Sequence, residues 1–180
     1  MKLVSYKDRA PGDILFIRNN SIESGFIVDF ESEIHENYKG NFVPSHVAIE
    51  AYSGTIFEAV WNKLVAVAAD TKYNLCPIQV WRLDRTSEQI EVALRTYAKQ
   101  YGNAGYGILD LLGFAIEAFK RHLGNPKANN PIFAGYVCSM AALLFLRYDS
   151  GEKWPLVADM RDCDPLQLLM NCLDNATSVQ

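Results

Sequence analysis

The sequence predicts an α+β domain in which a small antiparallel sheet packs against helices. Three observations predict it. Short apolar runs bounded by turn residues crowd the first half of the chain, between Ile14 and Leu83. Longer stretches with helical spacing fill the second half, from Thr86 onward. With 180 residues, 49% of them apolar, the chain is long enough for one sizeable core and is read as a single domain, 1–180.

Taken in order, residues 1–12 read as a lead-in. Ala10-Pro11-Gly12-Asp13 is turn chemistry, with Asp13 as a turn-capping carboxylate, and Ile14-Leu15-Phe16-Ile17 is a short buried strand. Residues 18–44 read as a long irregular insertion, a loop or short helical turn at Asn19–Gly25 followed by a mostly polar stretch, of the kind that shapes a substrate site. Pro44 forces an extended approach into Ser45. Ser45 to Val60 is a β-hairpin, rich in Val, Ile, Tyr and Phe, turning around Tyr52–Gly54. Trp61–Val67 continues as a strand after a turn near Asn62-Lys63. Ala68–Pro77 is a connection, and Ile78–Leu83 is the last strand. Thr86-Ser87-Glu88-Gln89 is a capping box, and its helix stops at Gly102. Ile108–Leu123 is an unusually apolar second helix, and Asn125–Pro131 is a loop. An apolar helix begins near Cys138, and Asp164-Pro165 caps a last helix whose apolar face is Leu166, Leu169, Met170 and Leu173.

Composition excludes some functions. A formal net charge of −4, with no Lys/Arg cluster, argues against nucleic-acid binding. Apart from Ser139, the longest apolar run is Tyr136 to Leu146, too short for a transmembrane span of about 20 residues. Residues 1–11 lack an apolar core, so no signal peptide is expected and the chain is expected in the cytoplasm as synthesised; export by another route and packaging in a phage particle stay open. The cysteines at 76, 138, 163 and 172 have neither zinc spacing nor C-x-x-C, so neither a metal nor a disulfide framework is expected, and nothing calls for a cofactor. Oligomeric state is not legible.

The chemistry-bearing residues are Cys138, His46 and Glu58. A thiol where a loop becomes a helix meets the positive end of the helix dipole, which favours the thiolate. His46 opens the first arm of the hairpin and Glu58 stands late in the second. A carboxylate beside an imidazole orients it and stabilises its charged form, so the trio has the makings of nucleophile, base and orienter. A strict two-residue turn at Ser53-Gly54 would put Trp61 opposite His46, so His46 and Glu58 meet only with a longer turn or a bulge. Glu50 is a rival orienter on the strand of His46, but it lies about 13 Å along it. His35 is a rival base, in the acidic run Glu33–Glu36, where a solvated face is the default. His122 suits charge pairing at a helix end.

The ordered set Pro-Gly-Asp-Ile-Leu-Phe, Ser-His-Val-Ala-Ile-Glu, Ile-Phe-Glu-Ala and Tyr-Val-Cys-Ser resembles the circularly permuted NlpC/P60 proteins, nearest the YiiX/YaeF-like papain-like cysteine peptidases and amidases. The resemblance covers about residues 10–170. Lecithin:retinol acyltransferase-like enzymes are similar in having His first and Cys last. The resemblance implies a permuted papain-like fold and a Cys138-His46-Glu58 triad acting through an acyl-enzyme, with peptide amides such as murein-type peptides as substrates. It implies substrate contacts for Tyr136 and, from a Gly- and Tyr-containing segment before the Cys helix, for Tyr106. The Asp that usually follows that Tyr is Gly107 here. Two alternatives stay open: acyl transfer or hydrolysis on a lipid ester or thioester, motivated by the apolar stretch 108–123, and a non-catalytic binding module on the same fold.

Overall fold

The computed structural model describes residues 1–35, 37–60, 63–101, 138, 139, 142, 145, 146 and 163–177. Its strands are β1 (Lys2–Val4), β2 (Ile14–Ile17), β3 (His46–Tyr52), β4 (Thr55–Val60), β5 (Lys63–Ala68) and β6 (Ile78–Arg82). The helices among the described residues are α1 (Ile22–Ile34), α2 (Ala69–Lys72), α3 (Ser87–Tyr101) and α4 (Pro165–Thr177). Residues 138, 139, 142, 145 and 146 are also helical and are called the Cys138 helix below. The strands form one six-stranded sheet in the order β1-β6-β2-β3-β4-β5, with every neighbouring pair antiparallel. The fold is α+β, as the sequence predicts.

Core packing explains the strand sequences. Both faces of the sheet are covered, so all four residues of β2 are buried and read as one apolar run. On one face Ile14, Phe16, Val47, Ile49 and Trp81 share a core with Leu94 and Tyr97 of α3, Phe145 and Leu146 of the Cys138 helix, and Leu166 and Leu169 of α4. On the other face Leu15, Ile17, Ala48, Ile56 and Val80 pack with Ala69 and Tyr73, at and just beyond α2. Each such aliphatic side chain contributes about 1.5–3 kcal/mol when fully buried. The capping box forms as predicted: Thr86 N–H donates to Gln89 Oε1 at 2.9 Å, and Gln89 N–H to Thr86 Oγ1 at 3.2 Å. At α4 the Asp164 carboxylate accepts Gln167 N–H at 2.7 Å, the N-cap that Asp-Pro foretells. Gly12 (φ +88°) and Gly54 (φ +79°) supply the left-handed backbone of the two tight turns.

Three expectations differ from the structure. Residues 22–34, read as part of an irregular insertion, are helix α1, started by Ser21, whose Oγ accepts Ser24 N–H. Ile22, Phe26, Phe30 and Ile34 recur every four residues, a helical spacing that the reading of this stretch as a loop overlooked. The connection after β5 contains the single-turn helix α2. Residues 1–12, read as a lead-in, carry strand β1: Lys2–Val4 pairs with the outer side of β6, which is the last strand along the described chain, as expected, and lies inside the sheet. The stretches 108–123 and 125–131 lie outside the described residues.

Candidate active site

A one-residue bulge builds the site. Next to the turn, Tyr52 pairs with Thr55, the partner a two-residue Ser53-Gly54 loop dictates. The register then slips at Ala51, so that Glu50 pairs with Ile56, Ile49 with Phe57 and Ala48 with Glu58. His46 and Ala48 are two apart and share a face, so Glu58 lies on the face of His46, one diagonal step away. Without the extra residue Glu58 would stand opposite Ile49 and point to the other face. The bulge is tied down locally: Glu50 Oε1 accepts Gly54 N–H at 2.6 Å, and Glu50 Oε2 accepts Arg9 Nε at 3.2 Å.

The side chains converge from separate elements. His46 Nε2 lies 2.9 Å from Glu58 Oε2. Glu58 is fully buried and takes two further donors, Tyr73 Oη on Oε2 and Lys72 Nζ on Oε1. Both donors come from α2 and the residue after it, which pack on this face of the sheet. Cys138 is the other group that acts on the His46 ring, and with Glu58 it favours the ring's charged form. With Nε2 committed to Glu58, Nδ1 is the ring atom left for the sulfur. Cys138 itself is buried in the Cys138 helix.

The protonation states follow from this arrangement. Burial alone would push the Glu58 carboxyl up; hydrogen bonds from His46, Lys72 and Tyr73 outweigh it and hold the group at about 2. Glu58 is therefore a carboxylate that only accepts, so His46 Nε2 carries a proton whether the ring is neutral or charged. Burial opposes a charge on His46, but Cys138 and Glu58 prevail and push the ring up to about 9. Burial, followed by the negative charge of Glu58 and the bond to it, raises the Tyr73 phenol far above its usual range, so it stays a donor. The arrangement provides a thiol, a base able to take its proton, and a fixed carboxylate behind the base, the parts that nucleophilic acyl transfer needs.

The rival residues have other partners. His35, expected on a solvated face, is instead half-buried against Asp164, with Nε2 2.7 Å from Oδ2; its run is acidic, but the end of α1 meets the start of α4. Glu50 is engaged by Arg9 and the turn, and not by His46. Asp13 accepts Ala10 N–H at 2.8 Å in its turn and also pairs with Arg82. Cys163 and Cys172 are buried, and Cys76 is half-buried; the four cysteines are free thiols. Tyr106, Tyr136 and His122 lie outside the described residues. Sequence reasoning missed Lys72 and Tyr73: they sit in a connection with no periodicity, and no spacing rule ties them to Glu58. No helix among the described residues is long and apolar enough to cross a membrane. No protein-family model, curated protein or solved structure matches the chain.

Proposed function

We propose that the protein is a thiol hydrolase acting on amide bonds, with Cys138 as nucleophile, His46 as general base and acid, and Glu58 as orienter of His46. One observation carries the reading: His46 is hydrogen-bonded to a buried carboxylate on the neighbouring strand and feels a thiol on a distant helix. The Cys138 proton resides on His46, and the sulfur attacks the substrate carbonyl carbon as a thiolate. The C–S bond forms as the carbonyl π electrons move onto oxygen, where the Cys138 backbone N–H is the candidate donor. His46 then protonates the leaving nitrogen, and the C–N bond breaks to leave a thioester. Water, deprotonated by His46, attacks that thioester and returns the thiol. Tyr73 and Lys72 hold Glu58 in its charged form throughout.

The finer reading is a circularly permuted papain-like fold of the NlpC/P60 type, nearest the YiiX/YaeF-like branch, with peptide amides of the murein type as substrates. The order His46, Glu58, Cys138 along the chain supports it. The test is capture of the acyl-enzyme: incubation with a panel of peptide amides, γ-glutamyl amides and lipid esters, followed by intact and peptide mass spectrometry. An acyl adduct on Cys138 from an amide, absent in Cys138→Ala, is the expected result. Adducts from lipid esters alone would replace the amidase reading with the lipid one. No adduct from any donor, with an unreactive Cys138, would leave the binding module.

A further inference from the structure

Cys138 is only 5% exposed, so little room is left beside it for a bulky reactant. Among the described residues, the end of α1 reaches this neighbourhood through two side-chain links. His35 Nε2 meets Asp164 Oδ2 at 2.7 Å at the cap of α4. Beside that cap, Ser139 Oγ, next to the nucleophile, donates to the Cys163 carbonyl. The end of α1, the start of α4 and the Cys138 helix therefore meet at one junction.

Glu31 is buried there. It is 2% exposed, and neither of its side-chain oxygens has a hydrogen-bond partner among the described residues. Such a carboxyl is stable inside only while neutral. The groups facing it disfavour its charge: Asp164 from α4 and Cys138 from its own helix are both acids, and His35 on α1 is engaged by Asp164. No basic residue stands in the last turn of α1, so the negative end of the helix dipole opposes ionisation as well. Burial, then Asp164 and Cys138, push the Glu31 carboxyl well above its ordinary value; the Leu166 backbone N–H pulls the other way but makes no full hydrogen bond.

We propose that α1 is a lid over Cys138 and that Glu31 is its release. While the Glu31 carboxyl is neutral, the end of α1 stays against the α4 cap and covers the sulfur. When the carboxyl gives its proton to solvent, the buried charge drives that end of the helix outward, His35 parts from Asp164, and the sulfur is uncovered. The device rests on the proposed nucleophile for its purpose but not for its detection, because access to Cys138 is measurable without turnover.

The test compares two thiol reagents on the full chain: small iodoacetamide and a bulky fluorescein maleimide. Both consume the thiolate, so the ratio of their rates at Cys138, followed by peptide mass spectrometry, cancels thiolate formation and reports access. In the wild type the ratio of bulky to small reagent is expected to climb several-fold as pH rises from mildly acidic to alkaline, because the buried carboxyl releases its proton later than an ordinary one. In Glu31→Gln, which copies the size of the neutral carboxyl, it is expected to stay at its low-pH value. Hydrogen exchange supplies a second readout: the amides of residues 27–35 should lose protection with pH faster than those of α3, and only in the wild type. A flat ratio in the wild type, or an equal climb in Glu31→Gln, overturns the lid. A climbing ratio with iodoacetamide reactivity indifferent to His46→Ala keeps the lid and removes the catalytic reading. The reverse pattern keeps the catalytic reading and removes the lid.

Discussion

Two histidine–carboxylate pairs lie in this molecule, His46–Glu58 at 2.9 Å and His35–Asp164 at 2.7 Å, and all four side chains are largely buried. The pairs differ in what surrounds the carboxylate. Glu58 accepts Tyr73, Lys72 and His46, and its histidine also feels a thiol. Asp164 uses its second oxygen to cap Gln167 N–H, and its histidine sits at the end of a helix. In the proposed mechanism the first pair moves a proton, whereas the second links the end of α1 to the cap of α4. A short imidazole–carboxylate distance is therefore no sign of catalysis by itself; the group on the far side of the ring decides.

That difference is broken most strongly by removing the two rings in turn. His46→Ala is expected to lower turnover by roughly 10²–10⁴-fold, the usual worth of a general base. His35→Ala is expected to leave the pH midpoint of Cys138 alkylation by iodoacetamide where it was. Steady-state rates and alkylation profiles of both variants check this.

The carboxylates should rank the same way in stability. Glu58→Ala strips a fully buried acceptor from three donors and is expected to cost about 3–5 kcal/mol, read from urea unfolding. Asp164→Ala removes an N-cap and is expected to cost about 1 kcal/mol. A smaller Glu58 effect would mean that its donors find water instead. Tyr73→Phe, which deletes one buried hydrogen bond, should cost about 1 kcal/mol and move the Glu58 carboxyl up toward its ordinary value.

The pH dependence of stability sharpens the contrast further. His46 is raised from 6.5 to about 9, so its contribution is complete below 6.5 and is lost as pH rises through about 9. Glu58 is lowered from 4.5 to about 2, so its contribution is complete above 4.5 and is lost as pH falls through about 2. Together they predict a plateau between 4.5 and 6.5. Glu31 is raised, so its contribution also fades as pH climbs above 4.5, and the difference between wild type and Glu31→Gln should widen in that direction. Urea midpoints across the pH range check all three signs.

Much of this was legible in the residues. The capping box at Thr86, the Asp164 cap, the buried run Ile14–Ile17 and the hairpin with its need for a bulge follow from local chemistry, where one residue type satisfies one backbone need. The bulge itself could be required but not placed, because Ala51 carries no bulge signature and the partner that pins the turn, Glu50, finds Arg9 across 41 residues. β1 escaped because three residues at a sheet edge, two exposed and one half-buried, have no pattern to read. Helix α1 was legible in the i+4 spacing of Ile22, Phe26, Phe30 and Ile34 but was overlooked among the polar residues around it. His35 escaped because its burial is decided by packing between α1 and α4, 129 residues apart. Lys72 and Tyr73 escaped for the same reason on the other face: their partner is set by the fold and not by spacing.

The central claim is that Cys138 and His46 form a working thiol–imidazole pair. The measurement that meets it most directly is iodoacetamide alkylation against pH, mapped to each cysteine by mass spectrometry, on wild type and His46→Ala. The account predicts that Cys138 outpaces Cys76, Cys163 and Cys172 at mildly acidic pH and loses that advantage without His46. Equal reactivity of Cys138 and the half-buried Cys76, unchanged in His46→Ala, would contradict it.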